Sequence, residues 1–289
     1  MRDYAITTDS SCDFDQALAD SLGVTVVPLS VQIGPRRFRN APGEAMDSHS
    51  FYQLLSQGEL AQTSAPNVEE FKAVWRPILQ SGRDLLYLGF SSGLSGTYHN
   101  AAIAAEDLRE EFPEARIITV DTLCASLGQG MLVDLTVQEK RQGKTLDEAA
   151  AFAEKNRLHL CHWFTVGDLS QLRRGGRLSA GKAIVGNLLN IKPVLHVDDE
   201  GHLVPMASAK GRKKSIEALV SHMEESAVAP EQQRVYISHG DCLADAQLLA
   251  QMVRDRLHVS SVTIGDVGPV IGAHSGAGTL ALFFVGIHR

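Results

Sequence analysis

Short apolar, β-branched runs recur along the first half of this chain, and most are followed by a segment with helical spacing. Residues 4–8, 24–30, 85–89 and 116–121 read as strands, whereas 15–22, 48–57, 68–79, 97–111 and 129–142 read as helices. Strands alternating with helices predict an α/β layer whose sheet is largely parallel. Residues 32–39, with Gly34 and Pro35 as turn residues, read as a small extended excursion from that layer. Glu148, three residues after Thr145, predicts a capped helix over 145–156.

The style changes near residue 158. Residues 162–166 open a second set of strands, and Asp198-Asp199-Glu200-Gly201, between 191–197 and 202–209, is a hairpin signal. Helical patterns over 213–225 and 243–257 alternate with strands at 235–238, 261–267 and 279–285. The expectation is an α/β protein of two α/β domains. Residues 1–157 carry the largely parallel sheet, and residues 158–289 carry a mixed sheet with a β-hairpin and a basic loop. Hydrophobic residues make up 44% of the 289, enough for sizeable cores.

The remaining composition excludes whole classes. A net charge of -7 argues against wholesale nucleic-acid binding. No apolar run reaches membrane-spanning length. The opening MRDYAITTDSS enters a strand-like run without a secretory apolar region, so a cytoplasmic protein is expected. Cys12, Cys124, Cys161 and Cys242 are scattered without C-x-x-C spacing. They are expected to be buried, inert thiols rather than zinc ligands or disulfide partners.

Two hydroxyl-bearing segments are expected after the carboxyl ends of strands, where α/β sheets bind ligands. One, at 62–66, carries Thr63 and Ser64; the other, at 89–97, carries Ser91, Ser92, Ser95 and Thr97. Helix N-termini present free N–H groups that favour anions. The plainer role for Thr63, Ser64 and Ser95 is helix capping. Two such segments from one sheet edge favour an anion site.

Gly89-Phe90-Ser91-Ser92-Gly93 fits the G-x-S-x-G elbow of serine hydrolases. An elbow needs its helix to begin at once, yet Gly93, Leu94, Ser95 and Gly96 intervene. A triad of Ser91, Asp241 and His274 can be written and forms the alternative reading, although nothing in the sequence ties Asp241 to His274. Gly276–Ala281 matches G-x-G-x-x-A, but the eight residues after it are too few for a dinucleotide-binding βαβ unit. His274 and Ser275, among small residues, read either as structural groups or as the lining of a cleft. Arg173, Arg174 and Arg177 around Gly175-Gly176 suit anion contacts, against the simpler reading of an exposed basic turn. Lys210, Arg212, Lys213 and Lys214 oppose the dipole of the helix they precede, which hints at an anionic partner.

TTDSSCDF at the start, TSAP at 63–66, SSGLSGTY at 91–98, VDT at 120–122, LRRGGRLS at 172–179, NIKP at 190–193 and GAHSGAG at 272–278 together resemble the DegV family, in order and over nearly the whole chain. The resemblance implies two α/β domains with a long-chain fatty acid in a buried tunnel between them. It also implies kinship with the lipid-binding subunits of bacterial fatty acid kinase. There an ATP-binding partner subunit phosphorylates the bound acid to an acyl phosphate that enters phospholipid metabolism. The DegV protein presents the substrate and needs no cofactor of its own.

Carried over by motif, the fatty-acid site would comprise Thr63, Ser64, Ser92, Ser95, Gly96, His274 and Ser275. Ser91 would lie in the same loop without being a nucleophile. Hydroxyls, amides and an imidazole can hold a buried carboxylate without an arginine fork, leaving its oxygens free to attack a phosphoryl donor. Partner docking is implied for Arg173, Arg177, Lys210 and Asn40. Asn40 stands where the family has Asp, and Lys210 where it has Arg, which opens the partner's identity without touching fatty-acid binding. Peripheral membrane contact would serve lipid exchange. A sugar-kinase domain related to dihydroxyacetone kinases would instead need His274 or His239 as a covalent sugar site, and the apolar lining argues against it.

Overall fold

Strand β1 (Tyr4–Asp9) is buried along its whole length and takes parallel partners on both sides, β2 (Thr25–Val27) and β6 (Asp84–Gly89). With β7 (Ile117–Asp121) parallel to β6, the order is β2-β1-β6-β7. This is the parallel sheet expected of the alternating first half. The computed structural model describes residues 2–167, 169–178 and 190–289.

The 24–30 run, expected as one strand, is two. Pro28 has no N–H to give a ladder, and the chain leaves the parallel sheet there. It resumes as β3 (Ser30–Ile33) in a separate antiparallel sheet, ordered β4-β3-β5, with β4 (Arg36–Arg39) and β5 (Ala61–Ser64). The expected excursion is therefore part of a three-stranded sheet. Thr63 and Ser64 lie on β5 of that sheet, not on a loop after a parallel strand. The two hydroxyl segments thus come from different sheets. The next helix is capped by Asn67 and Glu70 in a reciprocal capping box, so Thr63 and Ser64 do not serve as its caps.

The second half forms a six-stranded mixed sheet, β10-β9-β8-β13-β11-β12. Its strands are β8 (Leu160–Thr165), β9 (Ile191–Val197), β10 (Leu203–Lys210), β11 (Arg234–His239), β12 (Ser261–Asp266) and β13 (Leu280–Val285). The 198–201 hairpin joins β9 and β10, and only the β11–β12 pair is parallel.

The helices of the first half are α1 (Gln16–Leu22), α2 (Ser48–Ser56), α3 (Val68–Gln80), α4 (Thr97–Glu111), α5 (Ser126–Arg141) and α6 (Leu146–Asn156). Those of the second are α7 (Ser170–Arg174), α8 (Arg212–Ser226), α9 (Leu243–Leu257) and α10 (Pro269–Ser275). Helix α6 carries the Thr145–Glu148 capping box. Helix α5 begins at Ser126, three residues before the expected start. It is buried almost all round because it packs between β1 and β6 on one side and β8, β11 and β13 on the other. Its glycines allow that closeness. A Cβ on Gly128 would lie 2.2 Å from His162 Nε2, and one on Gly130 would lie 2.5 Å from the Phe14 ring. One continuous apolar cluster consequently runs from Ile6 and Leu86 through Leu132 to Phe164 and Phe283.

Candidate functional site

An apolar cavity of about 220 Å³ lies where loops of the parallel sheet, the small antiparallel sheet, α10 and the mixed sheet meet. Phe90 and Leu94 line it from the 89–96 loop, and Phe164, Val197, Leu203 and Phe283 line it from the mixed sheet. Helix α10 contributes Val270, Ile271, His274 and Ser275, and Val267 precedes it. That spacing of three, four, seven and eight residues is one face of a helix. Helix α10 therefore runs along the cavity wall.

Polar groups gather at the C-terminal end of α10. His274 Nε2 and Thr63 Oγ1 are 2.8 Å apart. Thr63 reaches the cavity because strand side chains alternate: it points in, while Ser64 is exposed and outside the lining. Burial, and then the charge of Arg177, push the His274 imidazole down to about 4, so it is neutral at physiological pH. Its Nδ1 is buried without a hydrogen-bond partner among the described residues and packs against Gly175, where a Cβ would lie 2.5 Å away. Ser95 Oγ lies 2.8 Å from Thr97 Oγ1 and accepts from the Thr97 N–H at 3.2 Å, a local bond just before α4, while lining the cavity. Gly96 is the cap residue of α4 and lines the same space. A Cβ there would meet nothing within 4 Å, so the protein itself does not demand glycine at this point. Ser275 is 6% exposed and also lines the cavity.

Of the remaining sequence candidates, Arg177 borders the cavity and the others fall elsewhere. Ser92 is exposed, and its N–H donates to Asp121 Oδ1 at 3.2 Å. Arg177 lines the cavity; its Nε and Nη1 donate to the carbonyls of Leu94 and Gly175, at 3.3 and 2.5 Å. Arg173 and Lys210 are exposed. Asn40 is 7% exposed, with its side-chain amide donating to the Ser10 carbonyl at 3.4 Å. Ser179 of LRRGGRLS lies outside the described residues.

The hydrolase constellation is not assembled. Ser91 is fully buried, and its Oγ donates to the Gly201 carbonyl at 2.9 Å, pinning the loop to the β9–β10 hairpin. Asp241 pairs with His49 at 2.9 Å rather than with His274, and His239 lies 3.4 Å from Asp266 outside this cavity. Cys12, Cys124 and Cys161 are buried and Cys242 partly so, with no disulfide among the described residues. Burial raises all four thiols, Cys161 and Cys242 to about 11, which keeps them protonated and unreactive.

Three further residues shape the site without having stood out in the sequence. Asp9 is buried beneath the 89–97 loop and accepts from Tyr87 Oη at 2.7 Å and from the Phe90 N–H at 2.8 Å. Burial raises its carboxyl despite these donors. Ser126 and Ser238 also line the cavity. TTDSSCDF contains Asp9, but nothing in its spacing says which main-chain group the carboxylate will anchor.

An apolar cavity that closes on neutral hydroxyl and imidazole groups, with one guanidinium at its edge, defines a binding protein for an apolar molecule with a polar head. Among the described residues there is no cluster of three His, Cys, Asp or Glu fit for a metal, and no helix long and apolar enough to cross a membrane. The chain belongs to the DegV family: the family described as "Uncharacterised protein, DegV family" matches residues 3–286. A DegV domain-containing protein of Clostridium perfringens is 41% identical over 286 residues, covering 99% of this chain and 98% of that one. A fatty-acid-binding DegV family protein of Thermus thermophilus superposes with a TM-score of 0.86 at 32% identity, over 99% of this chain and 100% of that one. A DegV lipid-binding protein of Thermotoga maritima gives 0.87 at 28% identity, over 99% of both.

Proposed function

We propose that this protein binds a long-chain fatty acid in the cavity, with its carboxylate held by Thr63, Ser95, Gly96 and His274. In this reading it presents the carboxylate to an ATP-binding kinase subunit that forms the acyl phosphate. The observation that carries it is the cavity itself, largely apolar and with a polar end where Thr63 and His274 meet. The fatty-acid binding of the Thermus protein supports the same ligand class. Lining residues come from both 1–157 and 158–289, which fits a ligand lying between two domains with those bounds.

The energetics suit this ligand. Each buried methylene contributes roughly 0.8 kcal/mol, so an acyl chain gains on the order of 10 kcal/mol before ordering costs. The carboxylate must be hydrogen-bonded, or its burial costs several kcal/mol. Two of the five Arg177 N–H donors are committed to carbonyls, and the hydroxyls, the helix-end amide and the imidazole are placed to hold the carboxylate without an arginine fork. Held this way, its oxygens keep the lone pairs that a phosphoryl donor needs. Arg177 then supplies charge at the edge, where a kinase would approach.

Mass spectrometry of the molecule released on denaturing the purified protein tests the reading, with a stoichiometric fatty acid expected. Thr63→Ala combined with Ser95→Ala removes two hydrogen bonds to a charged group. At about 1.5 kcal/mol or more each, affinity falls at least roughly 100-fold. A double variant that keeps a full lipid load would show that the carboxylate lies elsewhere.

A further inference from the structure

The cavity wall holds a second polar patch. Ser126, at the start of α5, and Ser238, on β11, both line the cavity, and their hydroxyls are 3.0 Å apart. Ser126 also donates to Asp13 Oδ2 at 2.5 Å. The other Asp13 oxygen accepts from the Gly268 N–H at 3.1 Å, just before α10. Asp13 and Ser126 are both non-glycine residues in the left-handed region, with φ of 55° and 54°. Two uncommon backbone conformations thus meet at one hydrogen bond.

A hydroxyl has one proton and two lone pairs. With Asp13 ionised, the Ser126 proton is committed to the carboxylate. Ser238 must then be the donor in the Ser126–Ser238 contact. Every proton in the chain points toward Asp13, and lone pairs are left where the two serines border the cavity. A saturated chain passing there leaves them unpartnered, whereas a ligand hydroxyl can donate to them.

Helix α10 measures where on the ligand this falls. Gly268 and His274 are six residues apart, roughly 9 Å along a helix. An extended chain advances about 1.2 Å per bond, so the gap corresponds to roughly seven or eight bonds. We infer that Ser126 and Ser238, backed by Asp13, form a subsite that selects fatty acids carrying a hydroxyl near mid-chain. This rests on the acyl-binding reading above, with the carboxylate at His274 and Thr63.

The test is competitive binding of octadecanoate and its positional hydroxy isomers to the wild-type protein and to Ser238→Ala and Ser126→Ala, at a pH of about 8.5, where Asp13 is ionised. Isomers hydroxylated near the eighth to tenth carbon are expected to bind about tenfold more tightly than octadecanoate, a difference of about 1.4 kcal/mol. Isomers hydroxylated toward the methyl end are expected to bind less tightly than octadecanoate, because their hydroxyl meets apolar wall. Either serine variant should abolish the mid-chain preference, read as a ratio within one protein so that a general loss of stability does not mimic it. If octadecanoate binds while the mid-chain isomers rank no higher than the others, the subsite is overturned and the acyl-binding reading stands. The subsite is equally overturned if the variants melt earlier but keep the preference, for the serines would then only staple the two halves together. If no fatty acid binds at all, the acyl-binding reading itself falls.

Discussion

The two ends of α10 meet the same physical force with opposite consequences. At its C-terminal end burial pushes His274 down to about 4, so the base stays neutral. Beside its N-terminal end burial, reinforced by the charge of Asp266, pushes Asp13 up to about 7, so the acid clings to its proton. Hydrogen bonds from Ser126 and Gly268 only partly oppose that shift. Low polarisability disfavours charge of either sign, and an acid and a base a short helix apart are both driven toward neutrality. The residual charge is asymmetric. Arg177 is the one cation lining the cavity among the described residues, and it sits at the His274 end. Asp13 and Asp266 border a separate crevice at the other end. A ligand carboxylate is therefore attracted to the Arg177 end, which orients the chain before any specific hydrogen bond forms.

The sharpest way to break this asymmetry is to give both ends the same sign. Thr63→Asp places a carboxylate against His274, where the ligand head is held. Like charges at hydrogen-bond distance in an apolar pocket cost several kcal/mol, so retention should fall by at least roughly 1,000-fold. Lipid content after purification, with circular dichroism as the check on folding, reads the effect. A folded Thr63→Asp protein that still carries its lipid would mean the head group lies at the other end.

A second, smaller effect compares the two ends by titration. An unfolded histidine titrates near 6.5, so as pH falls from 6.5 toward 4 the unfolded chain takes up a proton that folded His274 refuses. Stability drops across that window, by on the order of 3 kcal/mol at most. Asp13 behaves inversely: its folded value lies above the ordinary 3.8, so its contribution is complete below 3.8 and is lost as pH rises through about 7. Between about 4 and 6.5 the two slopes oppose each other in the wild-type chain. Asp13→Asn should steepen the loss of stability on acidification, and His274→Gln should flatten or reverse it, as read by urea denaturation at several pH values. Parallel curves for all three proteins would show that burial does not act on the two ends as described. A bound carboxylate beside His274 should also raise its titration midpoint relative to the empty protein, which NMR of the imidazole would detect.

Which parts of this were legible in the sequence follows from how local each signal is. The β–α alternation over the first half, the Asp198–Gly201 hairpin and the Thr145 capping box are encoded within a few neighbouring residues, and each appears in the structure. The small antiparallel sheet was obscured because β4 reads Arg-Arg-Phe-Arg and β5 reads Ala-Gln-Thr-Ser, neither with apolar alternation. Helix α10 was hidden in Pro-Val-Ile-Gly-Ala-His-Ser, which is short, contains a helix-weakening glycine and is followed by more glycine. Ser126 and Ser238 gave no signal, being single serines within buried segments. Their meaning comes from a contact 112 residues apart in the chain. Ser91 and Ser95 show the same lesson within one loop: the first is buried against the Gly201 carbonyl and the second lines the cavity.

The smallest expected effect bears on the head-group end alone. Ser64 and Ser92 share their segments with Thr63 and Ser95, and composition does not distinguish them. Geometry does. On β5 the side chains alternate, so Ser64 points to solvent while its neighbour reaches His274. In the 89–97 loop Ser92 is exposed, and its backbone N–H, not its hydroxyl, makes the bond to Asp121. Removing either hydroxyl leaves the cavity lining unchanged, so Ser64→Ala and Ser92→Ala should shift stability by no more than about 0.5 kcal/mol. Their lipid content should match that of the wild type. Set beside Thr63→Ala and Ser95→Ala, they turn the comparison inward: four hydroxyls in two short stretches, two facing the ligand and two facing water. If Ser64→Ala emptied the protein as Thr63→Ala does, the inward face of β5 would not be what holds the carboxylate. The polar end of the cavity would then have to be sought among Arg177 and the groups around it.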